Sequence, residues 1–135
     1  MSPSPFVHRT ILGPSALYTE LTAAVSTPPT PPYGARRITD HLWFHVRDIA
    51  ATEEDVTHLE FGIRQVAAHI EAARLADLVV IEISTLDYLS TDYQPEAAAA
   101  AVAQWSAHEF GFPPPATTIT FNRMAGYSVT WPPSP

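Results

Sequence analysis

Proline placement limits this chain more than any other feature. Fourteen of its 135 residues are proline. Proline lacks a backbone N–H and its ring clashes with the preceding turn, so it is excluded from helix interiors and inner strands. The segment Ser26-Thr-Pro-Pro-Thr-Pro-Pro-Tyr-Gly34 must therefore run extended over a surface. It makes residues 26–37 a linker between an N-terminal strand–helix piece (1–25) and a main body (38–131). Pro113–Pro115 joins a helix to a strand, and Pro132-Pro-Ser-Pro135 ends the last strand as a short tail. A chain of this length suits a single domain, and no repeat of solenoid length divides it.

Hydrophobic spacing fills the intervals between the prolines. Phe6–Leu12 reads as a strand. Ser15–Val25 reads as a helix, with Leu17, Leu21 and Val25 on one face at i, i+4, i+8. Aromatic and β-branched content makes Ile38–Ile49 a strand. Thr52-Glu-Glu-Asp55 is a capping box, with its acids on the positive end of the helix it opens. Val56, Leu59, Ile63, Val66, Ile70 and Ala73 continue from it as an amphipathic stripe to about Leu75. Glu60 and Arg64 form an i, i+4 pair on the wet side.

Leu78–Ser84 is a buried strand, apolar except at Glu82, and Thr85–Gln94 is a loop rich in acids and tyrosines. A second helix starts at Pro95 and stops before Gly111, its expected C′ residue. Thr117–Phe121 and Tyr127–Trp131 alternate around Asn122–Gly126 as a hairpin. The order is βα, linker, βαβαββ. The fold class is α/β (α+β): a two-layer sandwich whose mixed sheet carries two main helices on one face.

Composition removes several chemistries. The chain has no lysine among its seven basic residues and no cysteine. Schiff-base chemistry, a P-loop lysine, thiol nucleophiles and iron–sulfur ligation are therefore excluded. A formal net charge of −7 argues against general nucleic-acid binding and against anionic membrane surfaces. An arginine-only, alanine- and proline-rich composition leads to the expectation of a GC-rich bacterial source. No signal peptide or membrane-length apolar run is legible, which leads to the expectation of a cytoplasmic protein. No catalytic, phosphate-binding or EF-hand motif is present, so no cofactor is expected.

Strand parity points to where a site could be built, because side chains alternate between the two faces. Leu42, Phe44 and Val46 oppose His41, Trp43, His45 and Arg47; Val79, Ile81 and Ile83 oppose Leu78, Val80, Glu82 and Ser84. With the apolar sets turned to the helices, the other sets form a polar–aromatic face, lidded by the linker or packed over by the N-terminal piece. His41 and His45 stand about 7 Å apart by strand rise. They would share a metal only with a third ligand such as Glu82, and no metal is expected. Glu82 is either a general base in a desolvated site or the ion-pair partner of Arg47 or a histidine. Asp87, Tyr88, Asp92 and Tyr93 lie between a strand end and a helix start, a common place for sites in α/β sheets and also for helix caps.

Glu60-Phe-Gly-Ile-Arg64, Leu78-Val-Val-Ile-Glu-Ile83 and Tyr93-Gln-Pro-Glu-Ala97 together resemble the helix–strand–helix part of domain IV of elongation factor G. The resemblance covers less than a third of the chain and lacks that family's basic character, so it implies the α/β order and nothing about translation. The leading expectation is a small binding protein, of accessory, inhibitor or immunity type. It would meet a protein partner through His41, Trp43, His45, Arg47 and Glu82, and through Asp87, Asp92 and Tyr93. The rival is a cofactor-independent isomerase, cyclase or lyase with a small-molecule pocket over the same face. Glu82 or a histidine such as His45 would be its base, and Tyr88 or Tyr93 its proton donor. A third reading is a structural subunit of a homo-oligomer.

Overall fold

A computed structural model describes residues 4–12, 15–47, 51–73, 76–88, 95–113, 115, 118–122 and 126–131. Its main sheet holds four strands and a two-residue fifth. These are β1 (Ser4–Leu12), β2 (Ser15–Ser26), β3 (Arg36–Arg37), β4 (Leu42–Val46) and β5 (Val79–Tyr88), in the order β1-β2-β5-β4-β3. β4 and β5 are parallel and the other pairings antiparallel. Two helices, α1 (Glu53–Ala73) and α2 (Pro95–Phe110), cover one face. The result is the expected α+β two-layer sandwich with a mixed sheet. No helix among the described residues is long and apolar enough to cross a membrane.

The N-terminal piece differs from expectation. Residues 15–26 are a strand, not a helix, and pair with β1 on one side and β5 on the other. A spacing of four residues fits a helical stripe and also an even-numbered strand face. Leu21, Ala23 and Val25 use the second option, each buried against the helices. Tyr18, Thr19, Thr22 and Val25 are strand-favouring residues, and Gly13-Pro14 between the two runs is a turn signal.

The expected strand Ile38–Ile49 starts late, at Leu42, because Thr39 turns the chain before it, and its last two residues lie outside the described residues. The Thr39 hydroxyl accepts hydrogen bonds from the backbone N–H of His41 (3.2 Å) and Leu42 (3.0 Å). This side-chain turn sends the chain back so that Arg36 pairs with Phe44 and Arg37 with Trp43. Arg64 of α1 donates to the carbonyls of Arg37 and Ile38, each at 3.3 Å, and holds that turn against the helix.

α1 begins as its capping box requires. The Asp55 N–H donates to Thr52 Oγ1 (3.1 Å), and the Thr52 N–H donates to Asp55 Oδ2 (2.9 Å). Leu59, Ile63, Val66 and Ile70 lie fully inside the core. α2 is buried on every side from Ala98 to Ala103, packing against α1, β1, β2 and the hairpin. Such burial suits a run of alanine and valine, which admits close neighbours all round. At the α1–α2 crossing, a Cβ on Gly62 would lie 2.3 Å from the Ala99 carbonyl oxygen. Only glycine permits that approach. α2 ends at Gly111, at φ +76°, whose N–H donates to the Ala107 carbonyl.

The C-terminal hairpin, β6 (Thr118–Asn122) with β7 (Gly126–Thr130), forms a separate two-stranded sheet and does not extend the main one. Trp131, which follows it, packs half-buried against the core and meets Phe61 edge-on at 5.6 Å.

Candidate functional site

The helix-free face of the main sheet is built by β4 and β5 in parallel register, with Trp43 opposite Val80 and His45 opposite Glu82. Inward residues of the same strands, Leu42, Phe44, Ile81 and Ile83, fill the core, so parity alone turns Trp43, His45 and Glu82 to the other side. The face is not fully open. Val80 has no exposed surface, and the His45 and Glu82 side chains keep 23% and 27% of theirs.

Segment 27–35 contributes to this cover. It joins β2 to β3, which lie on opposite sides of β5 and β4, so the chain must cross both strands. At its far end Gly34 sits beside the His45 ring, where a Cβ would be 3.6 Å from Nε2. The linker is therefore a strap, and its last residues flank the candidate site.

Charge on the face is paired. Glu82 Oε1 lies 3.8 Å from Arg47 Nη1 and 3.9 Å from His45 Nδ1. The second distance is too long for a hydrogen bond, and His45 Nδ1 is buried with no hydrogen-bond partner. The arrangement is an imidazole aimed beside a carboxylate that an arginine already engages. It is the ion-paired alternative for Glu82 rather than a lone carboxylate in an apolar site.

Other expected site residues do not converge there. His41 precedes the first residue of β4, where parity no longer holds. Its Nδ1 lies 3.5 Å from Glu71 on α1, and Glu71 also accepts a hydrogen bond from Thr39. The two imidazoles of His41-x-Trp-x-His45 thus lie beside different carboxylates, and no group of three or more metal-ligating side chains forms among the described residues.

Asp87 and Tyr88 belong to β5, opposite Glu20 and Thr19, and not to a loop. Tyr88 is six residues from Glu82, about 20 Å along a strand, too far to serve one small substrate jointly with it. Asp92 and Tyr93 lie outside the described residues. The strand outruns its expected end at Ser84 because of a β-bulge. Thr22 pairs with Thr85 and Ala23 with Ile83, leaving Ser84 unpaired in the ladder, and its hydroxyl donates to the Thr22 carbonyl at 3.1 Å.

A cleft of about 200 Å³ opens at the sheet edge, lined by Gly34, Arg36, Phe44, Val46 and Val56. Neither Trp43 nor Glu82 lines it. Arg36 at this edge is paired with Glu53 and, at 3.6 Å, with Glu60. The sequence placed Trp43, His45, Arg47 and Glu82 together but not Gly34 or Glu71. Pro-Tyr-Gly is a turn signal that could have found Gly34.

Searches against family models, curated proteins and solved structures return no match to this chain.

Proposed function

We propose that this chain is a small binding protein that engages a protein partner through the helix-free sheet face centred on Trp43. The observation that carries this reading is the register of that face. It sets a half-buried tryptophan beside paired charges. A half-buried aromatic with an arginine at its rim matches the residue types enriched at interfaces. The acidic balance of the chain would speed encounter with a basic partner.

A photo-crosslinking phenylalanine analogue at position 43 tests this, with a second at the exposed Ala72 of α1 as control, each in the full chain in cell extract. A discrete crosslinked protein from position 43 and not from position 72 is the expected result. Equal crosslinking from both positions, or none from position 43, would remove the proposal.

The buried, unpartnered His45 Nδ1 beside Glu82 favours one second reading, a cofactor-independent enzyme in which Glu82 orients His45 as a general base. Titration of intrinsic tryptophan fluorescence with a metabolite panel separates the two. A saturable change that is lost in Trp43→Phe would support the enzyme.

A further inference from the structure

We infer that the cleft at the outer edge of β4 is a peptide site. It takes an extended, basic segment of a partner, which adds one apolar residue to the sheet opposite Val46. The inference goes beyond the sheet-face reading, because the cleft is lined from the helix side of β4 and requires no contact with Trp43.

The backbone of β4 carries the first part of the argument. In the parallel ladder, the Val79 N–H donates to the His41 carbonyl and the Arg47 N–H to the Ile83 carbonyl, each at 2.8 Å. Peptide groups alternate along a strand, so Leu42, Phe44 and Val46 turn theirs away from β5. The Leu42 carbonyl accepts from Ile38 and Thr39, at 2.8 and 3.0 Å, and Phe44 pairs with Arg36. The same register would set Gly34 opposite Val46. Instead Gly34 takes φ +85° in a turn closed by the Ala35 N–H on the Pro32 carbonyl, and β3 ends at Arg36. Among the described residues, none hydrogen-bonds to the Val46 N–H or carbonyl. An unpaired edge of this kind accepts an added strand.

The cleft of about 200 Å³ lies at that gap, between Gly34 and Arg36 on one side and Phe44, Val46 and Val56 on the other. Phe44 is a core residue, and Val46 and Val56 pack against the core, so the floor is apolar. Directly opposed residues of paired strands put their side chains on the same face. A residue that hydrogen-bonds to Val46 therefore turns its own side chain towards the cleft. Backbone and pocket select one extended residue together.

Charge selects its neighbours. α1, which borders the cleft through Val56, opens with Glu53, Glu54 and Asp55. Arg36 is already engaged by Glu53 and, at 3.6 Å, by Glu60, which Arg64 shares. The Glu53 side chain keeps 75% of its surface. A lysine or arginine two residues from the seated one falls on the same face and meets these carboxylates, whereas an acidic segment meets like charge.

The test titrates the full chain with a blocked pentapeptide, lysine-threonine-valine-threonine-lysine, and follows backbone amide shifts. The expected result is saturable binding below about 1 mM, with shifts centred on β3, β4 and the first turn of α1 and the Val46 amide proton moving downfield. N-methylation of the central valine removes a backbone donor without touching the protein, and should weaken binding about tenfold or more. Serine in place of that valine, or glutamate in place of both lysines, should weaken it as well. Glu53→Gln should cost about two- to threefold, and Trp43→Phe should change nothing. Absence of sub-millimolar binding overturns the inference, as does equal binding by the N-methylated, serine or glutamate peptide. Binding that is lost in Trp43→Phe, with the Val46 amide unmoved, would return the contact to the sheet face.

Discussion

Individual residues in this protein are decided by what lies directly against them. Gly62 is the sharpest case, because a Cβ there would meet the Ala99 carbonyl oxygen at 2.3 Å and Val102 Cγ1 at 2.7 Å. Gly62→Ala would normally gain about 1 kcal/mol of helix propensity. Here it must force α1 and α2 apart, and we expect a net loss of roughly 2–3 kcal/mol, read as a lower urea midpoint. Thr52→Ala removes one half of the capping box and should cost about 1 kcal/mol in the same assay. At the candidate site, parity placed Trp43, His45 and Glu82 correctly from the letters alone, since alternation is a property of the strand backbone. It failed for His41, which lies just outside β4 and is free to turn to Glu71. The pairing of Glu82 with Arg47 was legible as one of two options. Choosing between them required the distance between a side chain just past β4 and one on β5.

At the scale of elements, α1 and α2 were the most legible parts of the chain. α1 has caps and a spacing of three and four residues that no strand shares, and α2 has a start and a stop signal. Residues 15–26 had no such signature. Leu17, Leu21 and Val25 satisfy both periods, and pairing with β1 and β5 decides between them. β5 supplies a test of how register is held. Its bulge at Ser84 leaves Ile83 buried and Leu86 packed on the core, while Ser84 and Thr85 are both exposed. Deleting Ser84 joins the ladder without changing the face of any neighbour. That variant should keep a cooperative unfolding transition and lose about 1 kcal/mol, the hydroxyl bond to Thr22. Deleting Ile81 turns part of the strand to the opposite face and should abolish the transition. Far-ultraviolet dichroism followed through urea distinguishes the two.

Across the whole molecule, stability is unevenly spread. α1, α2 and the central strands share one core, whereas among the described residues β6 and β7 form their ladder with each other and not with the main sheet. Amides of β6 and β7 should therefore exchange faster than those of β5 and α1, by sub-global opening that leaves the sandwich intact. The strap acts on the unfolded state as well as the folded one. Replacing Pro28, Pro29, Pro31 and Pro32 with alanine frees the unfolded chain and should lower stability by roughly 2–4 kcal/mol, with core amide shifts unchanged. Local chemistry alone was enough to specify the proline punctuation, the two helices with their ends, the inward set on each central strand and the class of the fold. Each of these depends on neighbours within a few residues, where backbone sterics, capping and side-chain period act. Long-range pairing decided the rest: residues 15–26 as a strand, the hairpin as a sheet of its own, the return at Thr39, and the partners of His41, His45 and Glu82. Those outcomes depend on which segments meet across dozens of residues, and the free energy that selects among them arises only when the sheet and the helices close on one core.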